Sequence, residues 1–131
     1  LEFRGVLFRS VWEAAMAAAN YHLDNLTAIV DRNRLQISGD TEDVMRLEPL
    51  AAKWESFGWR VVNVNGHDHR MLQDVLTSLP IEKEQPTLVM AYTTKGKGVS
   101  FMESVPYWHH RVPTEEEYFQ AHTELQGEDS L

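Results

Sequence analysis

Residues 86–93, PTLVMAYT, are apolar almost from end to end. A strand wetted on one side alternates apolar and polar residues. An unbroken apolar run needs cover on both faces, which parallel sheets obtain from flanking helices. That run therefore points to a layered α/β arrangement. Two further stretches read as strands: NLTAIVD (25–31), short and β-branched, and WRVVNVNG (59–66), alternating and Val-rich.

Helical patterns separate them. In VWEAAMAAANYHL (11–23), Trp12, Ala15, Met16, Ala19 and Leu23 recur at helical spacing, and the many alanines predict close packing. In EPLAAKWESFG (48–58), Pro49 suits a first turn, Leu50, Trp54 and Phe57 share a face, and Gly58 ends the helix. Asp68 is placed to cap a helix whose stripe is Met71, Leu72, Val75, Leu76 and Leu79, with Pro80 beyond it. Residues 94–113 read as loop. TEEEYFQAHTEL (114–125) then opens a last helix, with Thr114 and Glu117 spaced as a capping box. The polar tail after Leu125 is expected to fray. This order predicts an α/β fold: a parallel sheet, right-handed crossovers, and helices on both faces. Three strands make a small sheet, so part of a larger domain is expected.

The formal net charge of -8 argues against nucleic acid or an anionic membrane as a main partner. No apolar run is long enough to span a bilayer, and the start lacks a signal-peptide pattern. The absence of cysteine excludes disulfides, zinc thiolates and a thiol nucleophile. A cytoplasmic location fits these features.

Open parallel sheets bind ligands at the carboxyl ends of their strands. The first strand runs into Asp31-Arg32-Asn33 and the third into Thr93-Thr94-Lys95-Gly96-Lys97-Gly98. The Asn33 amide oxygen is a hard neutral donor suited to Mg2+ or Ca2+, and a backbone carbonyl two residues on adds a second. The same residues equally make a polar turn. In TTKGKG, glycines let backbone approach a ligand and a lysine can face phosphate. A flexible loop with solvated lysines has the same sequence. In YWHHRV (107–112), His109 and His110 stand beside Trp108 and Arg111, a set able to bind an anion, move a proton or simply pack. The spacing does not suit zinc. GHDH (66–69) reads as a turn and cap.

Taken in order, VWEAAMAAANYHLDNLTAIVDRNRLQISGDTEDVM, LEPLAAKWESFGWRVVNVNGHD and TTKGKGVSFMESVPYWHH closely resemble transketolase. The likeness runs from Val11 to about Leu125 and is greatest to the N-terminal half that some bacteria and archaea make as a separate subunit. It implies a partial, N-terminally truncated, doubly wound sheet of the thiamine diphosphate-binding fold. The implied cofactors are thiamine diphosphate and Mg2+ or Ca2+. The implied metal ligands are the Asn33 side chain and the Leu35 carbonyl. Ile37 is implied to lie near the cofactor rings and Lys95 to contact the cofactor or its bound intermediate. His109, from the family's WHG, is implied to reach the diphosphate and the donor sugar as the catalytic histidine. The Gly of that motif is His110 here, so a larger side chain enters the loop. Glu13 matches an acidic position near a subunit interface.

The implied reaction, part of pentose phosphate chemistry, moves a two-carbon ketol unit from a ketose phosphate to an aldose phosphate. The implied partner is a pyrimidine-binding domain or C-terminal transketolase subunit in a homo- or hetero-oligomer such as a dimer. Deoxyxylulose phosphate synthase, phosphoketolase and dehydrogenase E1 components share the fold and remain alternatives. So does a degenerate, non-catalytic interaction subunit.

Residues 1–10, LEFRGVLFRS, do not resemble the family. They match one frame of a translated sequencing adapter, apart from Gly5. Residues 1–10 are therefore expected to be non-native, and 11–131 to be the C-terminal part of the diphosphate-binding domain. The family's remaining metal ligand, an Asp in GDG, aligns with Phe3, and a family Glu aligns with Phe8. Neither phenylalanine binds a cation, so these 131 residues alone are expected to be inactive.

Overall fold

A computed structural model describes residues 10–128, so Phe3, Phe8 and all but the last residue of the 1–10 segment lie outside the described residues. In chain order the elements are α1 (Ser10–Asn20), β1 (Thr27–Arg32), β2 (Leu35–Gln36), β3 (Gly39–Asp40), α2 (Thr41–Val44), α3 (Leu50–Ser56), β4 (Arg60–Asn65), α4 (His69–Thr77), β5 (Thr87–Tyr92), a short 3-10 helix (Pro106–His109) and α5 (Glu115–Glu128). They fall into two compact units. The first takes the chain up to Arg32 together with Glu48–Tyr92, and the second takes Asn33–Leu47 and the chain from Thr93 onward.

The first unit is the expected α/β layer. Its parallel sheet has the order β1-β5-β4, with β5 in the centre. Leu88 and Met90 of β5 pack into a cluster with Ala15, Ala18, Leu50, Trp54 and Trp59, which places α1 and α3 on one face. Val89 and Ala91 pack with Val64 and with Leu72 and Val75 of α4 on the other. Alternate side chains of one strand thus feed two apolar layers, the reason its sequence has no polar period. The aromatic layer is tight: Trp54 meets Trp59 edge-on at 4.9 Å, and Trp12 lies 5.6 Å from Trp54. The Trp59 Nε1–H donates to the Ala15 carbonyl at 2.9 Å, so the indole is buried without an orphaned donor.

The sequence pattern carries α1 to Leu23, but the helix ends at Asn20. His22 adopts φ 54°, and the N–H groups of His22 and Leu23 donate to the Ala19 and Ala18 carbonyls. This is a Schellman closure in which a histidine holds the left-handed position usually given to glycine. Pro49 sits just before α3 rather than inside its first turn, and Gly58 (φ 94°) follows the helix as expected. Asp68 caps α4 as expected, accepting from the Met71 N–H at 2.9 Å.

In the second unit, Thr114 and Glu117 form the expected box: Thr114 N–H donates to Glu117 Oε2 (2.8 Å) and Glu117 N–H to Thr114 Oγ1 (3.3 Å). α5 continues past Leu125 to Glu128. The β2–β3 hairpin, α2 and the 3-10 helix carry no signal in the sequence, and each is too short to show a period.

Candidate functional site

The carboxyl ends of β1 and β5 are in register, with Arg32 opposite Tyr92. From these partners the chain runs on into Asn33 and Thr93. The Asn33 amide oxygen accepts the Leu35 N–H at 2.9 Å across Arg34, which has φ 64°. This Asx turn fixes the direction of the amide oxygen, and the Arg34 carbonyl accepts the Thr41 N–H at 2.8 Å, closing the hairpin behind it.

The TTKGKG stretch is also fixed by its own chemistry. Gly96 has φ 73°, and the Lys95 carbonyl accepts the Ser104 N–H at 2.9 Å. Glu103 Oε1 accepts both the Gly98 N–H (3.0 Å) and Lys97 Nζ (3.1 Å). Lys97 is therefore committed to an ion pair within the loop.

The loop continues into the 3-10 helix that carries His109. Trp108 anchors this helix: its Nε1–H donates to the Phe101 carbonyl at 3.0 Å, and its ring stands 5.5 Å from Phe101. Arg111 lies 4.4 Å above the Trp108 ring and pairs with Glu117. The Thr114 backbone N–H and the Arg111 guanidinium hold the Glu117 carboxyl below the usual carboxylate range. The Ser100 backbone N–H, with Gln120 and the Ser100 hydroxyl, does the same for Glu124. These contacts tie α5 to the loop.

Asn33, Leu35, Gln36, Lys95, Pro106 and His109 line one cavity of about 200 Å³. Four of the residues singled out in the sequence are thus brought together. Ile37 lines a neighbouring hollow of about 240 Å³ with Pro106, Tyr107, His110 and Arg111. His110 has φ -124°, an ordinary conformation, and its ring meets His109 edge-on at 4.4 Å. The larger residue in place of glycine is therefore accommodated without backbone strain. Glu13 is exposed on α1, and Asp31 is exposed on β1. Gln36 was missed as a lining residue although it stands in the same motif, and Pro106 was hidden in a stretch read as loop. A larger open groove of about 600 Å³, lined by residues that include His22, Phe57 and Glu84, holds none of the sequence-predicted site residues.

The donor set suits part of a metal–diphosphate site. An amide oxygen has two lone pairs, so Asn33 Oδ1 can keep its turn and still accept a cation. A carbonyl and an amide are hard neutral ligands for Mg2+ or Ca2+, which also take carboxylate and phosphate oxygens. Among the described residues no group of three His, Cys, Asp or Glu side chains is placed to hold a metal. Lys95, a positively charged residue, lines the same cavity.

A family model for the transketolase thiamine diphosphate binding domain matches residues 7–128. The chain is 50% identical over 116 residues to an apulose-4-phosphate transketolase subunit of Phocaeicola vulgatus, covering 88% of this chain and 41% of that protein. It is 38% identical over 118 residues to the 6-deoxy-6-sulfo-D-fructose transketolase subunit SqwG of a Clostridium species, covering 90% and 43%. It therefore spans about two fifths of the length of these curated relatives. Transketolase from Campylobacter jejuni superposes with a TM-score of 0.79 at 29% identity, covering 88% of this chain and 18% of that one. The three-stranded layer thus superposes on a small portion of that longer chain.

Proposed function

The chain belongs to the transketolase thiamine diphosphate binding domain family, and from that premise we propose that the complete protein transfers a two-carbon ketol unit from a ketose phosphate to an aldose phosphate. The observation that carries this reading is the single cavity lined by Asn33, Leu35, Lys95 and His109.

Thiamine diphosphate, when bound, supplies the carbanion chemistry. The chain's own residues do the rest. Asn33 Oδ1 and the Leu35 carbonyl oxygen hold a divalent cation, Mg2+ or Ca2+, that neutralises the diphosphate. The Lys95 ammonium adds positive charge at short range, which lets a net-acidic chain bind an anionic cofactor. His109 is the catalytic residue, its ring N–H placed to donate a hydrogen bond to the diphosphate or the donor sugar. Pro106 gives the cavity an apolar wall, and Ile37, in the neighbouring hollow, is assigned to the side of the cofactor rings. We assign the pyrimidine-binding half to a further domain or a C-terminal subunit in a homo- or hetero-oligomer. Relatives from three bacteria are named as transketolase subunits, which supports a separate chain. Among the described residues no helix is long and apolar enough to cross a membrane, and a cytoplasmic location is part of the proposal.

The test uses the complete protein with its pyrimidine-binding partner, thiamine diphosphate and Mg2+. Ketose phosphates, apulose 4-phosphate first among them, are offered as donors with an aldose phosphate acceptor. Mass spectrometry is expected to find the acceptor lengthened by two carbons. Decarboxylation or condensation of pyruvate instead would assign the protein to another reaction of the same fold. The 131 residues alone are expected to transfer nothing, because the pyrimidine-binding half is assigned to another domain or chain.

A further inference from the structure

Arg32 ends β1 with a side chain only 3% exposed. A guanidinium is rarely taken that far out of water without a partner. Its Nε and Nη2 both donate to Glu48 Oε1, at 3.1 and 2.9 Å. The other oxygen of that carboxylate, Oε2, accepts the N–H of Leu50, the first residue of α3, at 2.8 Å. One carboxylate therefore joins the end of a strand to the start of a helix. Both are firmly held: β1 by its register with β5, α3 by the buried Leu50 and Trp54.

The positions of the two residues in the chain give the pair its meaning. Arg32 is the last residue of the first unit before the chain leaves it, and Glu48 is the first after its return. The segment between them, 33–47, begins with Asn33, Leu35 and Ile37. The ion pair thus fixes both ends of the segment that carries the proposed metal oxygens. A gain in stability is a poor reason for such a pair, since the Glu48 side chain is 45% exposed and ion pairs open to solvent contribute little. Direction is what a planar guanidinium held through two N–H groups supplies.

We propose that Arg32 and Glu48 form a positioning clasp that presets the Asn33–Leu35 turn for the metal and diphosphate. This rests on the metal role of Asn33 and Leu35 proposed above. Arg32 is not among the residues that line the cavity. It acts through the peptide that joins it to Asn33, as outer-shell residues orient metal ligands elsewhere.

The experiment uses the complete protein with its partner domain. It titrates Mg2+ and then thiamine diphosphate by calorimetry, and measures the melting temperature without either ligand. The double variant Arg32→Met/Glu48→Gln removes both charges and keeps an acceptor for the Leu50 N–H. It is expected to melt near the wild type while binding Mg2+ with thiamine diphosphate about 10- to 100-fold more weakly. Glu48→Asp, which keeps the charge but draws the carboxylate back, is expected to weaken binding in the same direction while the protein stays fully folded at the assay temperature. Wild-type affinity in the folded double variant overturns the clasp. If the double variant does not fold, wild-type affinity in Glu48→Asp overturns it. A loss of affinity that merely follows a fall in melting temperature also overturns it. A wild type that binds no thiamine diphosphate in a metal-dependent way refutes the underlying reading instead.

Discussion

Replacing Gly96 with alanine is expected to loosen the wall of the cavity that carries Lys95. Gly96 has φ 73°, and an alanine Cβ there would stand 2.6 Å from the Met102 carbonyl oxygen. A left-handed conformation costs a non-glycine residue about 1–2 kcal/mol. Overpacking against neighbours that cannot retreat adds about 1–3 kcal/mol. The Met102 carbonyl is such a neighbour, because it accepts the Val105 N–H at 3.2 Å, just before the 3-10 helix that bears His109. The combined cost is about 2–5 kcal/mol, and since about 1.4 kcal/mol is a factor of ten, local protection should fall by about 30-fold or more. Hydrogen exchange followed by mass spectrometry on the complete protein reads this directly. Peptides covering Val99, Met102, Ser104 and Val105 are expected to exchange faster, and thiamine diphosphate to bind more weakly. Unchanged exchange in those peptides would refute the reasoning, since it would mean the loop yields without cost.

Thr87 is fully buried, and among the described residues its hydroxyl has no hydrogen-bond partner. Thr87→Val keeps the shape and removes the orphaned group, so denaturant unfolding should show a gain of about 1 kcal/mol. Glu117 and Glu124 both titrate below the ordinary carboxylate value of 4.5. A carboxyl depressed in the folded state adds stability above its unfolded value and loses it as pH falls through the folded one. The hold on α5 is therefore complete at neutral pH and is lost in acid below that value. Hydrogen exchange of α5 peptides along an acid titration checks this, and Glu124→Gln should leave α5 loosened at neutral pH as well.

The layers of the fold were legible because they follow from burial. The apolar run at 86–93 marked a strand covered on both faces, and β5 is central with one apolar cluster on each side. Caps were equally legible, since Asp68 and the Thr114–Glu117 pair act within a few residues of themselves. The hairpin at 35–40 was not, because two-residue strands have no period to detect. The end of α1 was missed because nothing in the sequence marks His22 for a glycine-like conformation. Asn33, Leu35, Lys95 and His109 were found through the resemblance, whereas the motifs around Asn33 and Lys95 alone favoured a polar turn and a flexible loop. Arg32 looked like one more polar residue after a strand. Its partner stands sixteen positions away, and no local pattern announces such a pairing.

The central claim is that Asn33 and its neighbours hold the diphosphate of the cofactor through a divalent cation. Calorimetric titration of thiamine diphosphate into the complete protein, with and without Mg2+, tests it most directly when Asn33→Ala and Asn33→Asp are run beside the wild type. Tight binding by the wild type only with Mg2+, weak binding by Asn33→Ala, and retained binding by Asn33→Asp, which keeps both the turn acceptor and a hard oxygen, are the expected results. Equal Mg2+-dependent affinity in wild type and Asn33→Ala would contradict the claim.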